Sequence, residues 1–333
     1  MKKIIALLLA LIMVMGLATV VSADEPTFDA SFVKEYVINS GTAPAETFNF
    51  TYEFVSYTDR EDTTVTTAPA GAPTLTVGTA DFEAISATAT DTVEVTVNGV
   101  NNDTPLGVYV YEITEVASNT AGADYTATPI YLVATVTHTG DNNRDKTAVV
   151  HYTNDLDDLN NKVGKTTNAY AAGTLEITKT ITGNMADLTD TFEFTVVFTP
   201  ETSAYKQEDG AYVKTAFNLN TQIQTTADVK FVTNNDGTVT ATFTMGHDDT
   251  VTFTNIPDGT AYVVSEDEKT YIESSTGETG TIAGGQKSDA DFTNTKESEV
   301  DTGIAMDSVP FIVMAVVAVI GLAAFTAKKR VQE

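Results

Sequence analysis

From residue 24 to about residue 296 the chain alternates apolar and polar positions with a period of two. The pattern recurs in short runs: TFNFTYEF (47–54), DTVEVTVNGV (91–100), YLVATVTHTG (131–140), TFEFTVVF (191–198) and TVTATFTM (238–245). These runs are rich in Thr, Val, Tyr and Phe, the residues that fit a pleated, half-buried surface. Turn clusters such as NGVNNDTPLG (98–107), NNDG (234–237) and IPDG (256–259) separate them. Helical periodicity is lacking over this region. Short strands punctuated in this way predict an all-β chain of antiparallel, immunoglobulin-like β-sandwiches.

An internal repeat sets the number of sandwiches. ASFVKEYVINSGTAPAETFNFTYEF (30–54) resembles TLEITKTITGNMADLTDTFEFTVVF (174–198): a strand carrying a lysine, a polar turn, then an aromatic alternating strand. Two tandem modules follow, an N-terminal one over 24–172 and a C-terminal one over 173–297.

The same alternation puts charges on faces that should be apolar. Lys34 is in phase with Phe32, Tyr36 and Ile38, and Lys179 with Leu175, Ile177 and Ile181. One such lysine alone is compatible with snorkelling at a strand end. Each module, however, also has an acid in phase with apolar residues. Glu115 follows Tyr109, Tyr111 and Ile113, and Glu266 follows Tyr262 and Val264, so both copies read Tyr-x-(Ile/Val)-x-Glu. Burial raises the pKa of a carboxyl group and lowers that of an amine, so such a pair can persist as neutral acid and neutral amine. The free amine is a nucleophile, and the protonated acid can donate a hydrogen bond to a carbonyl.

An asparagine carboxamide supplies the electrophile. In DADFTNTK (289–296) Asn294 is in phase with Phe292 on the last strand of the second module. The first module offers Asn154, in phase with Val150 and Tyr152, and Asn168, just ahead of the next lysine strand. Attack of the amine on the amide releases ammonia and leaves a cross-link, with Glu115 or Glu266 as the catalytic acid and folding supplying the proximity. No cofactor is needed.

Composition narrows the setting. With 18 Lys+Arg against 46 Asp+Glu, the net charge of -28 disfavours nucleic acid and anionic lipid as partners. Cysteine is absent, so neither disulfides nor thiol chemistry is available, although the N-terminus reads as an export signal. Lys2 and Lys3, the apolar run from Ile4 to Leu17 and the small-residue site Val21-Ser22-Ala23 make residues 1–23 a signal peptide. At the other end an apolar span at 309–327 is followed by Lys328, Lys329 and Arg330, long enough to cross a bilayer with the tail held inside. His138, His151 and His247 lack ligand spacing, and DNNRD (141–145) and DLDDL (155–159) lack the Gly and distant Glu of a calcium loop, so no metal site is expected. No phosphate loop, nucleophile elbow or paired-carboxylate hydrolase motif is present.

Together, the lysine strands and the Tyr-x-(Ile/Val)-x-Glu boxes resemble the major pilin subunits of Gram-positive bacteria, of the streptococcal backbone type, in which domains form their own Lys-Asn isopeptide bonds. The resemblance runs from Asp24 to the tail. It implies that the lysine comes from the first strand of each domain, the asparagine from the last and the acid from a strand between, hence Lys179, Glu266 and Asn294 in the second module. In the first it implies Lys34 and Glu115 with Asn168, which leads directly into the next lysine strand, although Asn154 has the cleaner strand pattern. It also makes residues 298–333 a cell-wall sorting signal, with Val300-Asp301-Thr302-Gly303 where the family has Leu-Pro-x-Thr-Gly, cleaved by sortase between Thr302 and Gly303. The accepting amine would be Lys162 or Lys165 of another copy. The implied protein is not an enzyme acting on external substrates. It is a pilus subunit anchored to peptidoglycan on the cell surface, supporting adhesion alongside tip and base pilins and a host ligand. A monomeric wall-anchored adhesin and a secreted carbohydrate-active enzyme are the competing readings.

Overall fold

The computed structural model describes residues 27–298 apart from 119, 126–127, 140–144, 201, 207–211, 217–218, 220–221 and 268–269. The signal peptide, the apolar span, Thr302 and Gly303 lie outside the described residues. Among the described residues there is no helix, so none is long and apolar enough to cross a membrane. The fold is all-β, two sandwiches in tandem.

In the first sandwich one sheet runs, in spatial order, Thr74–Val77, Ala89–Asn98, Phe28–Ile38, Lys165–Tyr170 and Ala123–Asp124. The facing sheet runs Asp145–Thr153, Ile130–Thr139, Gly107–Val116, Glu46–Thr58 and Thr64–Val65, with Ala80–Phe82 paired to the start of Glu46–Thr58. The inward residues of both sheets form one aromatic core, including Phe32, Tyr36, Phe48, Tyr109 and Tyr111. The second sandwich repeats the plan. One sheet is Gln224–Thr225, Thr250–Pro257, Ala172–Thr182, Lys287–Thr295 and Ile272–Thr276; the other is Lys230–Thr233, Val239–Met245, Phe192–Thr199, Ala261–Glu266 and Thr279–Thr281. A hairpin of Thr202–Lys206 and Tyr212–Ala216 is added to it.

One expectation needs correcting: the sandwiches are not wholly antiparallel. In each, the first strand pairs in parallel with the last, Phe28–Ile38 with Lys165–Tyr170 and Ala172–Thr182 with Lys287–Thr295. Parallel pairing requires a long crossover rather than a hairpin, and here nearly the whole module intervenes. Alternation within each strand is the same in either direction, so the sequence pattern does not distinguish the two arrangements.

The modules meet at a built joint. Ala172 packs with the first core, and Leu175, three residues on, belongs to the second. Ser40, just past the first lysine strand, holds Ala172 through both its backbone groups: its hydroxyl donates to the carbonyl at 2.6 Å and accepts from the amide at 3.0 Å. Asn255 receives the Thr42 amide on its Oδ1 at 2.7 Å and donates from Nδ2 to the Thr42 carbonyl at 3.0 Å and the Gln222 carbonyl at 2.9 Å. Ala121, from the first module, is buried in the second core.

Candidate functional site

Each sandwich holds one lysine, one glutamate and one asparagine buried together among aromatic rings. In the first, Lys34 and Asn168 come from neighbouring strands of one sheet and Glu115 from the sheet opposite, so the lysine spans the core. Lys34 is 0% exposed, Asn168 2% and the Glu115 side chain 2%. Lys34 Nζ donates to Glu115 Oε2, and Asn168 Nδ2 donates to Glu115 Oε1. The second sandwich repeats this with Lys179 Nζ 2.6 Å from Glu266 Oε2 and with Asn294 Nδ2 donating to Glu266 Oε1.

The register is the same in both. Asn168 lies opposite Tyr36, two residues beyond Lys34, and Asn294 lies opposite Ile181, two residues beyond Lys179. Glu115 pairs with Phe50 and Glu266 with Phe194, at the same point of the aromatic strand. The amines rest on equivalent rings: Lys34 Nζ is 4.6 Å from the Phe48 centroid, and Lys179 Nζ is 4.3 Å from that of Phe192. The two repeats thus assemble one constellation twice.

Burial governs the electrostatics. It pushes the Lys34 amine below the ordinary lysine range, against the pull of Glu115, and does the same to Lys179 against Glu266. Burial likewise raises the Glu115 carboxyl, opposed by Lys34 and by the hydrogen bonds from Lys34 and Asn168. Both changes favour a neutral amine beside a neutral acid. Among the described residues the Asn294 Oδ1 is buried with no hydrogen-bond partner. A half-turn of the amide exchanges Oδ1 and Nδ2 and sets the carbonyl oxygen against the Glu266 carboxyl group, the orientation in which an acid can polarise the C=O.

The alternative asparagine is elsewhere. Asn154 is exposed, just past the end of the strand Asp145–Thr153. Of the two candidate acceptor lysines, Lys165 is paired with Glu35 at 2.7 Å, its side chain 52% exposed. Lys162 is exposed at an isolated bridge with Thr153. Among the described residues no cluster of His, Cys, Asp or Glu could hold a metal ion.

Sequence reasoning missed two groups. One is the joint, whose Ser40 and Asn255 carry no signal beyond being turn-forming residues. The other is a second carboxylate two residues ahead of the first aromatic ring of each module, in Glu46-Thr47-Phe48-Asn49-Phe50 at the start of its strand and in Asp190-Thr191-Phe192-Glu193-Phe194 two residues before its strand.

The family described as a domain of unknown function (DUF7601) matches residues 173–296. A pilin of Streptococcus pyogenes serotype M1 is 30% identical over 179 residues, 49% of this chain and 50% of that protein. The chain thus spans about half the length of the curated relative it matches. Among solved structures, the major pilin from Streptococcus pyogenes is similar at 18% identity with a TM-score of 0.43, covering 81% of this chain and 99% of that one. The major pilin protein T-13 from Streptococcus pyogenes serotype GAS131465 is similar at 15% identity and a TM-score of 0.42, covering 83% and 100%.

Proposed function

We propose that this chain is a structural subunit of a covalent pilus on a Gram-positive cell surface, and that each of its modules welds itself shut through a Lys-Asn isopeptide bond. The observation that carries the reading is the shared register: the same buried lysine, acid and asparagine, formed twice at equivalent strand positions. The pilin relative supports the wider role.

The condensation balances without a cofactor. The neutral Nζ of Lys34 attacks Cγ of Asn168, and that of Lys179 attacks Cγ of Asn294, while the protonated glutamate donates to the carbonyl oxygen. The Nζ–Cγ bond forms and the Cγ–Nδ2 bond breaks. The glutamate carries one proton from Nζ to the leaving nitrogen, which departs as ammonia. Holding the groups in contact replaces an intermolecular encounter and removes most of its entropic barrier.

Strand direction supports polymerisation. The strand Lys165–Tyr170 runs toward the joint and Ala172–Thr182 runs away from it, as does its parallel neighbour Lys287–Thr295, the last strand before Ser298. Lys162 therefore stands on the far side of the joint from Ser298. A subunit with its acceptor amine at one end and its C-terminal donor at the other extends head to tail. In this reading sortase joins the carbonyl of Thr302 to Lys162 of the next copy, the span at 309–327 retains the precursor at the membrane, and the last subunit is linked to peptidoglycan.

Intact mass of the recombinant exported region tests the internal bonds: a loss of two ammonia molecules is expected, and an uncondensed mass refutes them. Boiled cell-wall extracts test the polymer. A ladder that collapses in the Lys162→Ala, Lys165→Ala double variant supports it, and a single species refutes it in favour of a monomeric adhesin.

A further inference from the structure

His247, a histidine without ligand spacing in the sequence, stands at the edge of the second site. The strand Ala172–Thr182, which carries Lys179, lies between Lys287–Thr295, which carries Asn294, and Thr250–Pro257. This second neighbour stops one residue short of the lysine: among the described residues its last pair is Thr250 with Thr178. From there the turn at residues 246–249 takes over. The Lys179 amide donates to the Asp249 carbonyl at 3.0 Å, and the Lys179 carbonyl accepts from the Asp248 amide at 2.9 Å. Two residues on, the Ile181 amide donates to Nδ1 of His247 at 3.0 Å. A ring nitrogen thus supplies the next rung of the ladder, in place of a backbone carbonyl.

That rung falls at a particular level. Ile181 is the residue opposite Asn294 on the other neighbouring strand, so the tie at Ile181 bears on how the amide carbon lies relative to the Lys179 amine. The turn also follows Met245, which pairs with Phe192, whose ring carries that amine. In the first module the backbone does this alone: Ala89–Asn98 runs past the lysine, pairing Asp91 with Lys34 and Ala89 with Tyr36, the residue opposite Asn168. An accepting Nδ1 puts the proton of the neutral ring on Nε2, which faces Asp248 Oδ2 at 3.4 Å. The imidazole is 26% exposed, whereas Ile181 is 2% exposed, so the amide it satisfies belongs to a buried residue. Attack of an amine on an amide tolerates little misplacement of either group, and a strand end free to shift loses that alignment.

Building on the condensation proposed above, we infer that His247 is a positioning residue for the Lys179–Asn294 reaction: its Nδ1 holds Ile181, and with it the strand that carries Lys179, in register with Asn294.

The test follows both bonds in one chain. The exported region is recovered denatured and uncondensed, refolded, quenched at intervals and mapped by mass spectrometry. His247→Phe keeps a ring and removes the acceptor; His247→Asn is smaller but sets an amide oxygen where Nδ1 stands. In His247→Phe the Lys179–Asn294 bond should form about tenfold more slowly, while the Lys34–Asn168 bond keeps its rate. His247→Asn should return the second bond close to the wild-type rate. Lost packing alone would give the opposite order, penalising Asn more than Phe. A wild-type second rate in His247→Phe overturns the inference, and so does a His247→Asn variant as slow as His247→Phe. If His247→Phe does not fold, His247→Ala takes its place under the same two criteria. Failure of both to fold would make the imidazole a requirement of the fold itself and overturn the narrower role. A wild-type chain that loses no ammonia refutes the condensation, and the role of His247 falls with it; two ammonia losses with equal rates in every variant refute the role of His247 alone.

Discussion

Lys179 Nζ lies 2.6 Å from Glu266 Oε2 and 4.3 Å from the centroid of the Phe192 ring, with the lysine side chain 0% exposed and the glutamate side chain 2%. An amine so placed is tolerated because its partner is present, and the cost of removing that partner differs from the cost of losing the bond. Glu266→Ala leaves the buried Lys179 amine without its hydrogen-bond partner, which costs about 1–3 kcal/mol. Asn294→Ala blocks the same condensation but keeps the pair. Both variants should be heavier than wild type by one ammonia, apart from the substitution itself. Thermal denaturation should then place Glu266→Ala clearly below Asn294→Ala, and equal midpoints would count against a buried pair.

The two first-module asparagines give a sharper contrast. Asn168 donates to Glu115 from a buried strand position, whereas Asn154 is exposed beyond a strand end. Asn168→Ala should abolish one ammonia loss and Asn154→Ala should abolish none. The proposed bond would close a loop of 134 residues (168 - 34), for which the chain-entropy estimate made for disulfides gives roughly 5 kcal/mol. Asn168→Ala should therefore also unfold the first module at lower denaturant, read as a new early transition. An ammonia loss abolished in Asn154→Ala instead would reassign the site.

Condensation rate should depend on pH as a bell. The competent form is neutral amine with neutral acid. On the acid side the pair gains a proton and Lys34 becomes an ammonium; burial lowers its value, so this limb lies below the ordinary lysine range. On the alkaline side the pair loses its last proton and Glu115 becomes a carboxylate; burial raises its value, so this limb lies above the ordinary carboxylate range. With neither displacement, neutral pH would hold ammonium and carboxylate. Refolding the uncondensed chain at stepped pH should give a maximum flanked by two limbs that belong to the pair jointly. A rate rising monotonically to alkaline pH would mean that the acid's proton is not needed.

Most of this architecture is legible from strand alternation. Lys34 among Phe32 and Tyr36, and Glu266 after Tyr262 and Val264, stand out because a period of two assigns every residue to a face, and a charge on a buried face needs a reason. The parallel pairing of Lys165–Tyr170 with Phe28–Ile38 does not stand out, since alternation is blind to strand direction. Asn154 and Asn168 are hard to separate for a related reason: phase says which way a side chain points, and only the strand's true end shows that Asn154 has left the sheet. Glu46 is hidden by position. As the first residue of a strand it reads as part of a turn, where an acid is ordinary, and only the loop carrying Thr120 closes over it.

Force applied along such a chain must cross the joint, which makes Asn255 and Gly41 informative. Asn255 adopts φ +54, a left-handed conformation that asparagine tolerates better than most residues. It holds three backbone groups: the Thr42 amide and carbonyl and the Gln222 carbonyl. At Gly41, with φ +76, an added Cβ would come within 2.6 Å of Asn255 Oδ1 and 2.7 Å of the Ala172 Cβ. Asn255→Ala should cost about 1–3 kcal/mol, since it leaves part-buried backbone groups without their partner, and Gly41→Val should cost more because it adds backbone strain to the clash. Neither touches the lysine, acid or asparagine of either module, so both bonds should still form. Small-angle scattering should show the two modules of Gly41→Val sampling a wider range of mutual orientations than wild type, with intact mass confirming two ammonia losses. An unchanged scattering profile would mean that the short chain connection through Ala171, rather than this clasp, fixes the modules against each other.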